Sequence, residues 1–253
     1  MPSLKKLLFI TAILTQLLCS ATPEQVERYL SISNAEEELL QLESQFSRMQ
    51  NSFKASQDNT SEENETYDMQ LLTIRFKEYM EKHLSEDEMD EILQTYKNVV
   101  FLQYISVNSG TQADSKEIDA YVKSFENNES SSVRLELVEK INKALNNKES
   151  MTLMFDELIK PLMQASPGGE ALDDAFMKKS RESYLKSLAE KAKRETLFVT
   201  KDFTIEELEE LLDVAQTPAI GYEMKALYGG MAFALKEFFL TLASKYDISK
   251  HQR

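Results

Sequence analysis

Phe203-Thr204-Ile205-Glu206-Glu207-Leu208-Glu209-Glu210-Leu211-Leu212 is a helix start written out in full. Thr204 can cap the first turn, and Glu207, three residues on, can return a bond to the cap backbone; together they make a capping box. The acids of the first turn suit the positive end of the helix dipole. Leu208, Leu211 and Leu212 then repeat at helical spacing. The same grammar occurs twice more. Ser85-Glu86-Asp87-Glu88 opens a helix with Met89, Ile92, Leu93, Tyr96, Val99 and Val100, expected to end near Gly110. Thr22-Pro23-Glu24-Gln25 adds a proline at the first helical position.

Outward from these starts the helical period continues. Ile32, Ala35, Leu39, Leu42, Phe46, Met49 and Phe53 alternate steps of three and four, which predicts one helix of roughly eight turns. Its flanking positions lack ordered opposite charges, so it reads as a bundle face and not a coiled-coil seam. Met69, Leu72, Phe76, Tyr79 and His83 form a second stripe, and Ile118, Tyr121, Val122 and Phe125 a shorter one. Val133, Leu137, Ile141 and Leu145 lead to Met151, Phe155, Leu158 and Leu162, with Asn146-Asn147 as a kink or break between them. A long helix carries Leu172, Phe176, Tyr184, Leu188 and Leu197. After Thr217-Pro218 comes the most apolar stripe: Ile220, Met224, Leu227, Met231, Leu235, Phe238 and Leu242. Lys225, Lys236 and Glu237 interrupt it, so it is read as a buried helix and not a membrane span.

The expected fold class is therefore all-α, a helical bundle. Gly 6 and Pro 5 are low for 253 residues, and the abundant Leu, Glu, Lys, Ala and Met are good helix formers. Residues 54–66 are polar and without period, which predicts a flexible linker. The polar stretch 126–132 marks a half-chain boundary, and Ser166-Pro167-Gly168-Gly169 is the strongest turn signal. The organisation expected is a leader over 1–21, a first helical half over 22–130 and a second over 131–253.

The leader is a secretion signal by its parts. Lys5-Lys6 supplies the positive start and Leu7 to Leu18 a short apolar run. Cys19-Ser20-Ala21 offers small residues for cleavage after Ala21. Lipidation of Cys19 is the alternative, against which stands Leu18 where lipoproteins carry a small residue. Cys19 is the one cysteine, so cleavage after Ala21 leaves neither disulfides nor thiol chemistry in the mature chain. Net charge is −14, and taking away Lys5 and Lys6 lowers it to −16. That field disfavours nucleic acid and anionic lipid surfaces.

An internal repeat is legible. Residues 76–93 can be laid over 195–212, so that Ser85 meets Thr204, Glu88 meets Glu207, and Met89, Ile92 and Leu93 meet Leu208, Leu211 and Leu212. The expected bundle thus has two similar helical-hairpin halves. Phe203-Thr204-Ile205-Glu206-Glu207-Leu208 through Gln216-Thr217-Pro218-Ala219-Ile220-Gly221 resembles a bacterial periplasmic family, domain of unknown function 2059. Two departures stand out: Val214-Ala215 replaces an aromatic pair, and an extra residue separates Pro218 from Gly221. The first copy keeps Tyr96 and lacks the proline step. The resemblance implies a helical periplasmic protein of unknown activity.

Motifs for chemistry are sparse. His83 and His251 are the only histidines, and neither has the Glu-x-x-His spacing of a di-iron bundle. His83 reads as a partly buried packing residue or a residue of a helix C-terminal turn. Glu86-Asp87-Glu88 and Glu206-Glu207-Glu209-Glu210 lack calcium-loop spacing and suit helix starts. Gly229-Gly230 suits close helix packing or a kink. Sequons stand at Asn59, Asn64 and Asn128, the last two with a Glu two residues before. The 11 Met lie mostly on stripes, where core packing is the default over an adaptable binding groove. No catalytic, cofactor or metal residue is assigned. The function expected is a non-catalytic periplasmic binding or adaptor role toward an envelope protein or peptide. The alternatives are a structural envelope component and a carboxylate-based hydrolase, the latter needing two facing buried carboxylates.

Overall fold

Three helix starts organise the protein, and all three close as capping boxes. The computed structural model describes residues 20–55, 67–110, 115–125, 131–165 and 172–245, and among these the chain is helical without a β-strand. Cys19 and the rest of the leader through residue 19, the three sequons, the Ser166–Gly169 turn and His251 lie outside the described residues.

Helix α1 (Pro23–Ile32) starts at Thr22 as its sequence predicts, the Gln25 N–H donating to the Thr22 hydroxyl at 3.2 Å. The eight-turn helix expected from Ile32 is instead cut at Ser33-Asn34, and α2 (Ala35–Ala55) begins afterwards. Asn34 sits in the left-handed region at φ 61°, which asparagine tolerates better than most residues. The Ser33 hydroxyl accepts the Ala35 N–H at 3.3 Å. Helix α2 runs to Ala55, so residues 54 and 55 of the predicted linker are helical, and its remainder lies outside the described residues.

Helix α3 (Gln70–His83) buries Met69, Leu72, Phe76 and Met80, followed by Leu84. The predicted stripe ended instead on Tyr79 and His83; repeated steps of four carry the buried face past them. Helices α4 (Glu86–Thr95) and α5 (Val99–Gly110) replace one expected helix. The break comes from Asn98, whose Oδ1 accepts the Phe101 N–H at 2.8 Å and restarts the helix, leaving Val99 75 % exposed and out of the core.

Helix α6 (Ser115–Phe125) lies with Tyr121 and Val122 against the core. Helix α7 (Ser132–Leu145) ends at the asparagine pair, and Asn147 caps α8 (Lys148–Met154) by accepting the Ser150 N–H at 2.9 Å. Val133, placed on the α7 stripe by spacing, is 53 % exposed, and Val138 is buried. A π-helical turn, Phe155–Ile159, carries α8 into α9 (Lys160–Ala165). In α10 (Asp174–Val199) Leu197 is buried as expected, whereas Met177 and Leu185 turn inward one position beyond the predicted Phe176 and Tyr184, and Phe176 is 47 % exposed.

Helix α11 (Ile205–Ala215) packs on α7 and α5, and α12 (Pro218–Lys245) lies along α3, α4 and α8. Arg134 of α7 holds the turn before α11, donating to the carbonyls of Thr200, at 2.9 Å, and Phe203. Leu30, Phe76 and Ile92 share one continuous core with Ile141, Leu211 and Leu235, so that core draws on residues from both sides of position 131. No described helix is long and apolar enough to cross a membrane.

The turns at Ser85 and Thr204 agree in detail: each cap is extended, each box is reciprocal, and the residue before it, Leu84 or Phe203, is buried. Thr204→Ala should remove about 1 kcal/mol of stability, read as a lower thermal midpoint. A midpoint unchanged from wild type would show the Glu207 bond at 2.7 Å to the Thr204 N–H suffices alone.

Candidate functional site

One side chain breaks the apolar logic of α12. Glu223 lies three residues after Ile220 and three before Ala226, both buried, and is itself only 2 % exposed. The packed face of the helix continues through Ala226, Gly229, Gly230 and Ala234; of the predicted stripe Ile220, Leu235 and Phe238 are buried, and Met224, Leu227 and Met231 are only half-buried.

A buried carboxylate needs donors, and two come from far along the chain. The Tyr29 hydroxyl of α1 donates to Glu223 Oε1 at 2.9 Å, and the Tyr96 hydroxyl, at the end of α4, donates to the same oxygen. The two tyrosine rings meet edge to face at 5.9 Å, and Tyr96 meets Phe101 likewise at 5.1 Å. Glu223 Oε2 is buried with no hydrogen-bond partner among the described protein groups. Burial pushes the Glu223 carboxyl up to about 7, against the downward pull of the two hydroxyl bonds. Burial and the nearby carboxylate push both phenols well above their ordinary value, so they stay protonated donors.

Glu223 forms part of the wall of a cavity of about 200 Å³ between α1, α5, α7 and α12. Asn108, Ser109 and Asn146 add polar groups to it, and Tyr104 and Tyr228 add phenols pushed up to about 12, chiefly by burial. Across Ala35, Glu38, Leu227 and Tyr228 it adjoins a second cavity of about 150 Å³. That one is apolar, lined by Leu39, Leu42, Phe76, Met154 and Met231. A third, about 310 Å³, lies along α2 beside Glu37, Gln41 and Gln45. Glu38 lines all three, and burial raises its carboxyl although Ser109 bonds to it.

The residues weighed from sequence fall elsewhere. His83 is exposed, not partly buried; its Nδ1 lies 2.9 Å from the Tyr79 carbonyl and its ring stacks on Tyr79 at 3.8 Å, as a C-terminal-turn residue. Ser85–Glu88 and Thr204–Glu207 are helix caps, and no cluster of metal-ligating side chains occurs among the described residues. At Gly229 an added Cβ would overlap the Tyr79 ring, and at Gly230 it would stand 3.0 Å from Phe76; the pair lets α12 approach α3. Glu223 was missed because periodicity counts apolar residues. The available signal was an acid standing at buried helical spacing between Ile220 and Ala226.

Comparison with protein-family models, with curated proteins and with solved structures returns no match.

Proposed function

We propose that this chain is an exported, non-catalytic binding protein of the bacterial cell envelope that holds a small ligand beside Glu223. The observation that carries the reading is the buried carboxyl of Glu223, whose Oε2 has no partner among the described protein groups, on a residue that borders a cavity. Leaving such an oxygen unpaired costs roughly 1–3 kcal/mol, a cost a ligand can relieve. Cavities of about 200 and 150 Å³ are too small for a peptide helix and together suit a small molecule. This moves the expected occupant from an envelope protein or peptide to a small ligand.

Glu223 is the one carboxylate among the described residues that is fully buried, and Tyr29 and Tyr96 both spend their protons on it. That pattern supports binding over a two-carboxylate hydrolase. A thermal-shift screen of small molecules tests the reading: stabilisers that lose their effect in Glu223→Gln support it, and stabilisers indifferent to that change count against it.

Export belongs to the same proposal and rests on Lys5-Lys6 and the apolar run to Leu18. The folded part adds a constraint on where the leader ends. The Ala21 N–H donates to the Leu84 carbonyl at 2.8 Å, Ala21 is buried, and Ser20 bridges Ser85. Cleavage after Ala21 would remove that pairing, so the mature chain is proposed to keep Ala21. Intact mass of the envelope-fraction protein should place its first residue at Ser20 or earlier, with added lipid mass if Cys19 is modified. A chain starting at Thr22 would refute this. The matching geometry at Ser85 and Thr204 supports duplication and the resemblance to domain of unknown function 2059 as part of this reading.

A further inference from the structure

The walls around Glu223 are unevenly supplied with hydrogen-bonding groups. Both nearby phenol protons, from Tyr29 and Tyr96, go to Glu223 Oε1, and the Tyr228 hydroxyl donates to Asn146 Oδ1 at 3.0 Å. Glu223 Oε2 and the carboxylate of Glu38 remain as acceptors, and Glu37 stands with Glu38 along the outer cavity. No Lys, Arg or His lines any of the three cavities. An anionic head would therefore meet like charge, and a neutral acceptor would find the protons of Tyr29, Tyr96 and Tyr228 already used. A protonated amine brings three donors and the opposite charge.

The adjoining apolar cavity sets the other end. At about 150 Å³, lined by Leu, Phe and Met side chains, it matches the size of an apolar void known to take up benzene. Ala35, Glu38, Leu227 and Tyr228 belong to the walls of both cavities, so a ligand reaching from one to the other passes these side chains.

Resting on the binding role proposed above, we infer that the ligand is a primary amine carrying one apolar group about the size of a benzene ring. Its ammonium pairs with Glu223 and Glu38, and its apolar end fills the space between Leu39, Phe76 and Met231. The outer acids Glu37 and Glu38 draw the cation toward the opening. Glu223 must be ionised to form the pair, so binding expels its proton at acidic pH. The other titratable groups in this wall are Tyr29, Tyr96, Tyr104 and Tyr228, which stay neutral throughout, and Glu38, whose carboxyl burial raises.

Isothermal titration of the full mature protein with 2-phenylethylamine, 2-phenylethanol and 3-phenylpropanoate tests this. The amine should bind at least tenfold more tightly than the alcohol, and the carboxylate should not bind. Amine affinity should rise on the order of tenfold or more from pH 5.5 to pH 8, and the heat should vary with buffer ionisation enthalpy near pH 6, reporting the released proton. Glu223→Gln should lose tenfold or more in amine affinity with its cooperative thermal unfolding retained. Equal binding of amine and alcohol, unaffected by Glu223→Gln, would overturn the amine assignment and leave an apolar cavity as the binding element. Binding of none of the three at millimolar concentration would overturn the amine assignment, while the small-ligand reading stands or falls on the thermal-shift screen.

Discussion

Glu223→Gln is expected to raise the thermal midpoint at pH 8 by roughly 6–12 °C and to leave it nearly unchanged at pH 4.5. Glutamine keeps an amide oxygen to accept from Tyr29 and Tyr96, and carries no charge that must be held out of water. In the folded protein the Glu223 carboxyl lies at about 7, raised from 4.5 chiefly by burial. A raised carboxyl means the folded state holds the proton more tightly than the unfolded state. Stability from this group is complete below about pH 4.5 and is lost as pH rises to about 7, with a total near 3 kcal/mol. Glu38, raised by burial, adds its own pH dependence, so the decisive quantity is the difference between variant and wild type at each pH. Parallel midpoint curves for the two proteins would show that Glu223 is not desolvated as its position demands.

Gly230→Leu should be the most damaging single change in the packed face of α12, costing about 3 kcal/mol or more. Even a methyl at this position would stand 3.0 Å from the Phe76 ring, and Phe76 is completely buried. A leucine has to push α12 away from α3, which is its most extensive neighbour. Gly221 is the internal control. It is in the same helix with nothing within 4 Å of an added Cβ, so Gly221→Ala should gain about 1 kcal/mol from helix propensity alone. The two midpoints, measured side by side, should move in opposite directions. A Gly230→Leu protein as stable as wild type would mean that the α3–α12 spacing is not set by these glycines.

Much of the helical plan was legible because its signals are local. Thr22, Ser85 and Thr204 each sit in a four-residue pattern that determines its own geometry, and all three caps form as read. The breaks at Ser33-Asn34 and Asn98 were harder, because an apolar stripe runs on across a corner when both helices face the same core. The shift from Phe176 to Met177 has the same origin: spacing marks a face to within a residue or so, and packing chooses within it. Glu223 lay beyond reach for a different reason. Its partners Tyr29 and Tyr96 are 194 and 127 residues away, and only the folded topology brings three isolated polar groups to one point.

That separation governs the order in which the molecule can be completed. Helix α1 leaves the ribosome first among the folded elements, and Glu223 nearly last. Until α12 arrives, Tyr29 has no carboxylate to bond and the face of α3 that receives Gly229 and Gly230 is uncovered. Contacts that span most of the chain close slowly. For a polypeptide that must be threaded through a narrow channel before folding, such a late-closing design has a use. Under the export proposed above, the chain would cross unfolded and lock only when α12 closes on α1 and α3.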